Sequence, residues 1–279
     1  MLLIVGVLFI FRLFDLQIVN ATDTLQGVRQ EIVKGKRGDI FDAKGKALTQ
    51  NKIFYEISIH PENLKDKKTL LRDISDCTGG TIDSYEAKLN TRKRYIVLEK
   101  KTEENCKYLI EKYPEILIIK KDYKRFWPED NLFSQIVGFT DIDDKGIAGL
   151  EKKYDEELQG KSLSRQYKVN NKGKRISDAI LGSEDPENGY DYYLTIDRDY
   201  QAILRDELIK QMEKTKAIGA MGIIINPQNG RILAMVSVPD FDPNLPYKET
   251  RYEKNRIVSD VIEPGSTFKI VTIAAALKQ

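Results

Sequence analysis

One stretch toward the C-terminal end constrains the fold more than any other. Tyr190 to Ile196 reads as a strand, and Asp197 stands where a helix needs a capping side chain. Tyr200, Ile203, Leu204, Leu208 and Met212 then recur at three- and four-residue steps, carrying a helix to Lys216. Ala220 to Asn226 and Arg231 to Val238 follow. They are joined by Pro227-Gln228-Asn229-Gly230, whose Asn-Gly step supplies the positive φ of a hairpin turn. Strand, amphipathic helix and hairpin in that order point to an α+β fold.

Upstream the periodicities are mixed. Residues 21–35 read as a polar juxtamembrane helix or linker, Asp42 to Leu48 carries a turn, and Ile53 to Ile59 alternates as a strand. Helical spacing returns at 67–77, 82–89 and 102–112, with strand-like stretches at 94–98 and 115–120. Residues 170–190 are rich in Asn, Lys, Gly, Asp and Pro, which is linker chemistry. At 279 residues the chain has room for two domains.

Composition narrows the function. Charged residues make up 32% of the chain, yet the formal net charge is only +2, so charge makes no case for nucleic acid or an acidic partner. Lys65-Asp66-Lys67-Lys68 and Arg92-Lys93-Arg94 read as solvated faces. Cys77 and Cys106 fit no metal spacing, and the single histidine, His60, cannot complete a zinc site. Whether the two cysteines are free thiols or a disulfide stays open. His60 precedes Pro61 at the end of a strand and reads as a turn residue; being alone, it leaves a Ser-His-Asp triad almost no footing. Asp141-Ile142-Asp143-Asp144-Lys145-Gly146 opens like a calcium loop. Lys145 and Lys152, however, occupy its fifth and twelfth positions, where acidic or amide ligands are required, so it reads as a solvated turn.

The N-terminus is apolar from Met1 to Phe11, until Arg12 and Asp15 interrupt it. As a helix that run rises ~16 Å against the ~30 Å of a bilayer core, and including Leu13 to Val19 reaches nearly across. No basic residue precedes Leu2 to set an orientation. A membrane anchor over residues 1–20 is the preferred reading. A cleavable signal peptide ending near Val19-Asn20-Ala21 is the second, and a soluble amphipathic helix the third.

The chemistry is concentrated at Glu263-Pro264-Gly265-Ser266-Thr267-Phe268-Lys269, which runs into the apolar Ile270 to Leu277. A Pro-Gly turn followed by a helix-forming run places Ser266 in the first helical turn, with Lys269 on the same face, ~5–6 Å away between β-carbons. A serine hydroxyl needs an adjacent base to become a nucleophile, and a lysine supplies one when burial or a neighbouring cation lowers its pKa. The helix N-terminus adds unpaired N–H groups and a positive dipole end beside the hydroxyl. Local physics leaves a second reading equally open: an ordinary helix start capped by serine.

Family resemblance bears on that choice. Asn255 to Ile262 leading into Glu263-Pro264-Gly265-Ser266-Thr267-Phe268-Lys269 resembles the nucleophile region of class B penicillin-binding proteins, membrane-anchored peptidoglycan D,D-transpeptidases with a Ser-x-x-Lys signature. Other segments resemble the same family in the same order: Arg37-Gly38-Asp39-Ile40-Phe41-Asp42, Arg125-Phe126-Trp127-Pro128, Val137-Gly138-Phe139-Thr140, Gly146 to Asp155, Leu194 to Asp197, and Ile223 to Met235. The resemblance implies three parts: an anchor at 1–20, a mixed α/β pedestal (dimerisation) domain at 21–185, and at 186–279 the opening of a β-lactamase-like transpeptidase domain. Ser266 becomes the acyl-ester nucleophile and Lys269 its general base, with no cofactor or metal. Arg37, Gly38 and Asp42 match a family motif of structural role.

The resemblance further implies peptidoglycan stem peptides and β-lactams as ligands, the cytoplasmic membrane as location with the bulk of the chain extracytoplasmic, and division or elongation proteins or a second copy as partners. Nucleic acid is not among them. The family's remaining cleft elements, Ser-x-Asn and Lys-Thr/Ser-Gly, do not occur in this sequence, and the resemblance places both downstream of Gln279. The alternative expectation for these 279 residues alone is a non-catalytic, membrane-anchored, partner-binding fragment.

Overall fold

The computed structural model describes residues 25–59, 61, 64, 66–90, 95–113, 116–170, 186–245 and 252–278. Its strands are β1 (Leu25–Val33), β2 (Ile40–Phe41), β3 (Gln50–Ile59), β4 (Ile96–Thr102), β5 (Leu117–Phe126), β6 (Leu163–Asn170), β7 (Tyr192–Tyr193), β8 (Ala220–Ile225) and β9 (Ile232–Val238). The α-helices are α1 (Lys67–Thr78), α2 (Ile82–Leu89), α3 (Tyr108–Lys112), α4 (Ser134–Val137), α5 (Gly149–Lys153), α6 (Asp155–Gln159), α7 (Arg198–Thr215), α8 (Arg256–Ser259) and α9 (Lys269–Leu277). Residues 1–20, where the sequence places an anchor, and His60 lie outside the described residues. Among the described residues no helix is long and apolar enough to cross a membrane.

The first strand corrects an expectation. Residues 25–33 form β1, not a polar helix or linker, and pair antiparallel with β6 from Val33↔Leu163 to Leu25↔Asn170. The partner lies far along the chain, so its hydrogen bonds are invisible to local propensity. The strand expected at 190–196 shrinks to β7, which pairs parallel with β2 and stacks Tyr193 on Phe41 at 4.9 Å. Helical spacing at 102–112 resolves into the end of β4, a 3₁₀ turn at Glu104–Lys107 and the short α3.

Strands β4, β3 and β5 form an antiparallel sheet with β3 at its centre. Asp66 caps α1 by accepting from Thr69 N, and Gly79, at φ 73°, ends it in the left-handed conformation. Leu70, Leu71 and Ile74, at helical spacing, then bury against Ile57, Ile59, Leu98 and Leu117 of the sheet. Cys77 near the end of α1 and Cys106 in the 3₁₀ turn are disulfide-bonded with Cα atoms 5.7 Å apart, which settles the alternative left open above.

A second core gathers Ile40, Leu48, Trp127, Phe133, Phe139, Leu158 and Ile196 with Phe241, which meets Phe139 edge-on at 5.8 Å. Two glycines allow its backbone to close. Gly138 and Gly149 have φ of 79° and 59°, and a Cβ on Gly138 would sit 1.9 Å from the Ala148 oxygen. The turn at 141–146 is built from its own carboxylate, Asp141 accepting from the N–H groups of Asp143 and Lys145.

Beside this core, the buried Glu151 carboxylate bridges two buried guanidiniums. Arg37 Nε and Arg125 Nε each donate to it at 2.7 Å, and Arg37 also holds the Glu151 carbonyl oxygen and Asp155. Arg125 reaches Asp39 at 3.0 Å. The cluster ties the segment before β2, the end of β5 and helices α5 and α6 together, which is the structural role expected of Arg37. Glu151→Ala removes the carboxylate shared by two buried cations and should lower unfolding stability by about 3–5 kcal/mol in urea denaturation. A loss below about 1 kcal/mol would place the cluster among dispensable ion pairs. Replacing Cys77 and Cys106 together by serine should cost about 3–4 kcal/mol, from the loop-closure entropy of a cross-link separated by 29 residues. An unchanged melting temperature in the double variant would reject that assignment.

Candidate active site

Ser266 lies in the 3₁₀ turn Gly265–Phe268, and Lys269 opens α9 directly after it. This differs from an α-helical first turn in a useful way. At three residues per turn, positions i and i+3 eclipse, so Ser266 and Lys269 share one face. The Lys269 N–H donates to the Ser266 carbonyl oxygen, closing that turn. Gly265 takes φ 53°, and Thr267, not Ser266, bonds its hydroxyl back to the Pro264 oxygen. No side-chain cap hydrogen bond is made at the start of α9, so the capping role weighed for Ser266 is not used here. Ser266, Lys269 and the rest of 261–278 are exposed, including the apolar Phe268, Ile270 and Ile273.

The chain leading into this turn is held firmly. Helix α7 packs on the β8–β9 hairpin, and Gly222 is the point of closest approach: a Cβ there would sit 2.9 Å from Leu204 Cδ1. Gln201, buried in α7, accepts from Met235 N and donates to Met235 O, both at 2.8 Å, and so closes the edge of β9 at that residue. It also donates to the Leu132 carbonyl, joining the hairpin to the second core. Gln135 donates to the carbonyls of Tyr252 and Pro239. Asn255 caps α8 and touches Met235 Sδ, while the Lys254 ammonium holds the Asp260 carboxyl below the usual carboxylate range. Gln201, Gln135 and Asn255 escaped the sequence analysis. Only Asn255 carried a local signal, an amide just before a short helix.

The start of α7 is pinned by charge. Asp197 caps it as expected, accepting from Asp199 N, and Lys44 bridges Asp197 and Asp199. Arg198 meets Glu129 at 3.0 Å, and Lys46 meets the same carboxylate at 2.5 Å.

A sheet-and-helix part, whose second core takes in Phe241 just beyond the hairpin, is followed by a helix, a hairpin and an exposed Ser-x-x-Lys turn. The profile of the penicillin-binding protein dimerisation domain matches residues 32–194, and that of the penicillin-binding protein transpeptidase domain matches 220–279. The chain belongs to the class B penicillin-binding proteins. It is 34% identical over 257 residues to stage V sporulation protein D of Bacillus subtilis, covering 88% of this chain and 39% of that protein. It is 26% identical over 265 residues to the peptidoglycan D,D-transpeptidase FtsI of Escherichia coli K12, covering 91% and 45%. A crystal structure of a peptidoglycan synthetase from Bifidobacterium adolescentis superimposes with a TM-score of 0.65 at 25% identity, over 90% of this chain and 51% of that one. The chain thus spans less than half the length of the two curated relatives named.

Burial pushes the Glu129 carboxyl up, but hydrogen bonds from Lys46 and Arg198 outweigh it and hold the group below the ordinary glutamate range. A depressed folded-state pKa contributes stability above the unfolded value, about 4.3, that is lost as pH falls through the folded one. Acid unfolding should therefore steepen below about pH 4.3 in the native chain and flatten in Glu129→Gln. Identical acid limbs in urea titrations would contradict the assignment.

Proposed function

We propose that the protein to which this sequence belongs is a peptidoglycan D,D-transpeptidase acting by acyl transfer through Ser266. The observation that carries this reading is the Ser266-x-x-Lys269 spacing across the 3₁₀ turn Gly265–Phe268 and the start of α9, inside the segment matching the transpeptidase family. Lys269 accepts the Ser266 hydroxyl proton as the oxygen attacks the penultimate D-Ala carbonyl of a stem peptide. The C–N bond breaks, D-Ala leaves with a proton, and an acyl ester remains on Ser266. An amine from a neighbouring stem then attacks the ester, forming the cross-link and releasing the serine. A β-lactam carbonyl would acylate the same oxygen.

Residues 21–185 act as the pedestal and 186–279 open the transpeptidase domain, with residues 1–20 as a single-pass anchor and the rest extracytoplasmic. The Cys77–Cys106 disulfide supports an oxidising compartment. Division or elongation proteins, or a second copy, would meet the pedestal. A second reading, favoured by the exposure of Ser266 and of the apolar face of α9, concerns these 279 residues alone: a non-catalytic anchored fragment that binds partners without a finished cleft.

Fluorescent penicillin tests both. In a protein of the relatives' length carrying this sequence, covalent labelling should vanish in Ser266→Ala and fall at least ~10²-fold in Lys269→Ala, the scale of general-base catalysis. Labelling that survives Ser266→Ala would sink the nucleophile assignment. Ser266-dependent labelling of the 279-residue chain would sink the second reading.

A further inference from the structure

The two hydrophobic cores share no residue, and strands β3 and β5 run from one to the other. One end of this ribbon carries Ile57, Ile59 and Leu117 into the first core. The other end leads into Trp127, which packs with Ile40 and Leu48 in the second. Between the ends nothing is buried, from Gln50 to Glu56 on β3 and from Ile118 to Lys124 on β5. Strand β4 pairs no further than Tyr55, so Gln50 to Phe54 pair with β5 alone. A two-stranded stretch without a buried face twists and bends more readily than a wider sheet.

Beside that stretch the end of β4 reaches across to the turn at 141–146. Lys100 meets Asp143 at 2.5 Å, while Lys101 meets Asp144 at 2.8 Å and Asp122 at 3.0 Å. Lys101 also donates to the Tyr123 carbonyl. The side chains of Lys101 and Asp144 are 7% and 19% exposed, so water and salt screen this pair little. The turn itself is fixed on the side of the second core. Arg37 donates to the Asp144 carbonyl oxygen at 3.0 Å, and Gly146 N to Asp155 at 2.8 Å. Both partners of the shielded pair have left-handed backbones, with φ of 56° at Lys101 and 65° at Asp144. Aspartate enters that region in turns, but lysine seldom does, and such strain persists only where surrounding contacts enforce it.

We propose that the lobe built on β4, α1, α2 and α3 is a hinged arm. It pivots on the two-stranded stretch, and the Lys101–Asp144 contact is the latch that holds it against the turn. Opening exchanges a shielded ion pair for hydrated charges and relaxes the Lys101 backbone, so gain and loss offset one another. A partner that binds the lobe in only one of the two states would set its angle to the second core. The arm is independent of the acyl-transfer reading.

The test uses the intact 279-residue protein in detergent. Ketone-bearing residues replace the exposed Ser84 of α2 and Glu156 of α6 and carry nitroxides, which spares the Cys77–Cys106 disulfide. Double electron–electron resonance then reads the distance from the lobe to the second core. The native protein should give one narrow distance, with any longer one holding about 10% or less. Asp144→Asn keeps a residue that tolerates the left-handed backbone and should raise the longer population roughly threefold or more. Lys101→Met leaves Asp122 and Asp144 without their shared cation and should make the longer distance the major one. A pair within the lobe, Ser84 with the exposed Glu111 of α3, should keep its distance throughout. If Lys101→Met fails to fold, Asp144→Asn decides alone. An unchanged lobe distance in the folded variants, a native protein already spread over two distances, or broadening of the Ser84–Glu111 distance would each overturn the proposal.

Discussion

The Glu151 carboxylate, shared by the Arg37 and Arg125 guanidiniums with almost no water around it, is the constraint on which the pedestal depends. Glu151 and its two partners come from three places in the sequence: α5, the segment just before β2, and the end of β5. None of these segments could close on the others without a buried counter-charge, because an unpaired buried ion is far costlier than the pair. The closure also brings Gly138 and Gly149 into backbone contact that no side chain would permit. Charge, glycine and the second core therefore act on the same few residues.

Beyond that closure, glutamine and asparagine side chains tie together the elements that precede the Ser266 turn, as far as Asn255 and Ile257. Gln201 and Gln135 join the second core to the β9 edge and to Tyr252, and Asn255 caps the short helix that follows. Residues 261–278, the 3₁₀ turn and α9 among them, are exposed throughout.

Much of this was legible locally. Helical spacing at 67–77 marked what became α1, Asp197 declared itself as a cap, and Asn229-Gly230 announced the hairpin, because each signal lies within a few residues of the chain. What was missed is non-local. Strand β1 needed β6 to exist, the shortened β7 needed β2, and Gln201 looked like one more polar helix residue until the edge of β9 was laid beside it. The pairing of Cys77 with Cys106 belongs here too, since the sequence admitted a disulfide without arguing for one.

By itself the sequence determined the α+β character, the helix–hairpin order, the Ser-x-x-Lys spacing and, through its ordered motifs, the family. Those properties depend on residue type and short separations. Only the tertiary structure decided which of its buried charges meet, that Ser266 sits in a 3₁₀ turn and not an α-helical one, and that the pedestal and the hairpin share a core through Phe139 and Phe241. Such outcomes rest on packing and desolvation between distant segments, where the energy of each contact depends on all the others that exclude water around it.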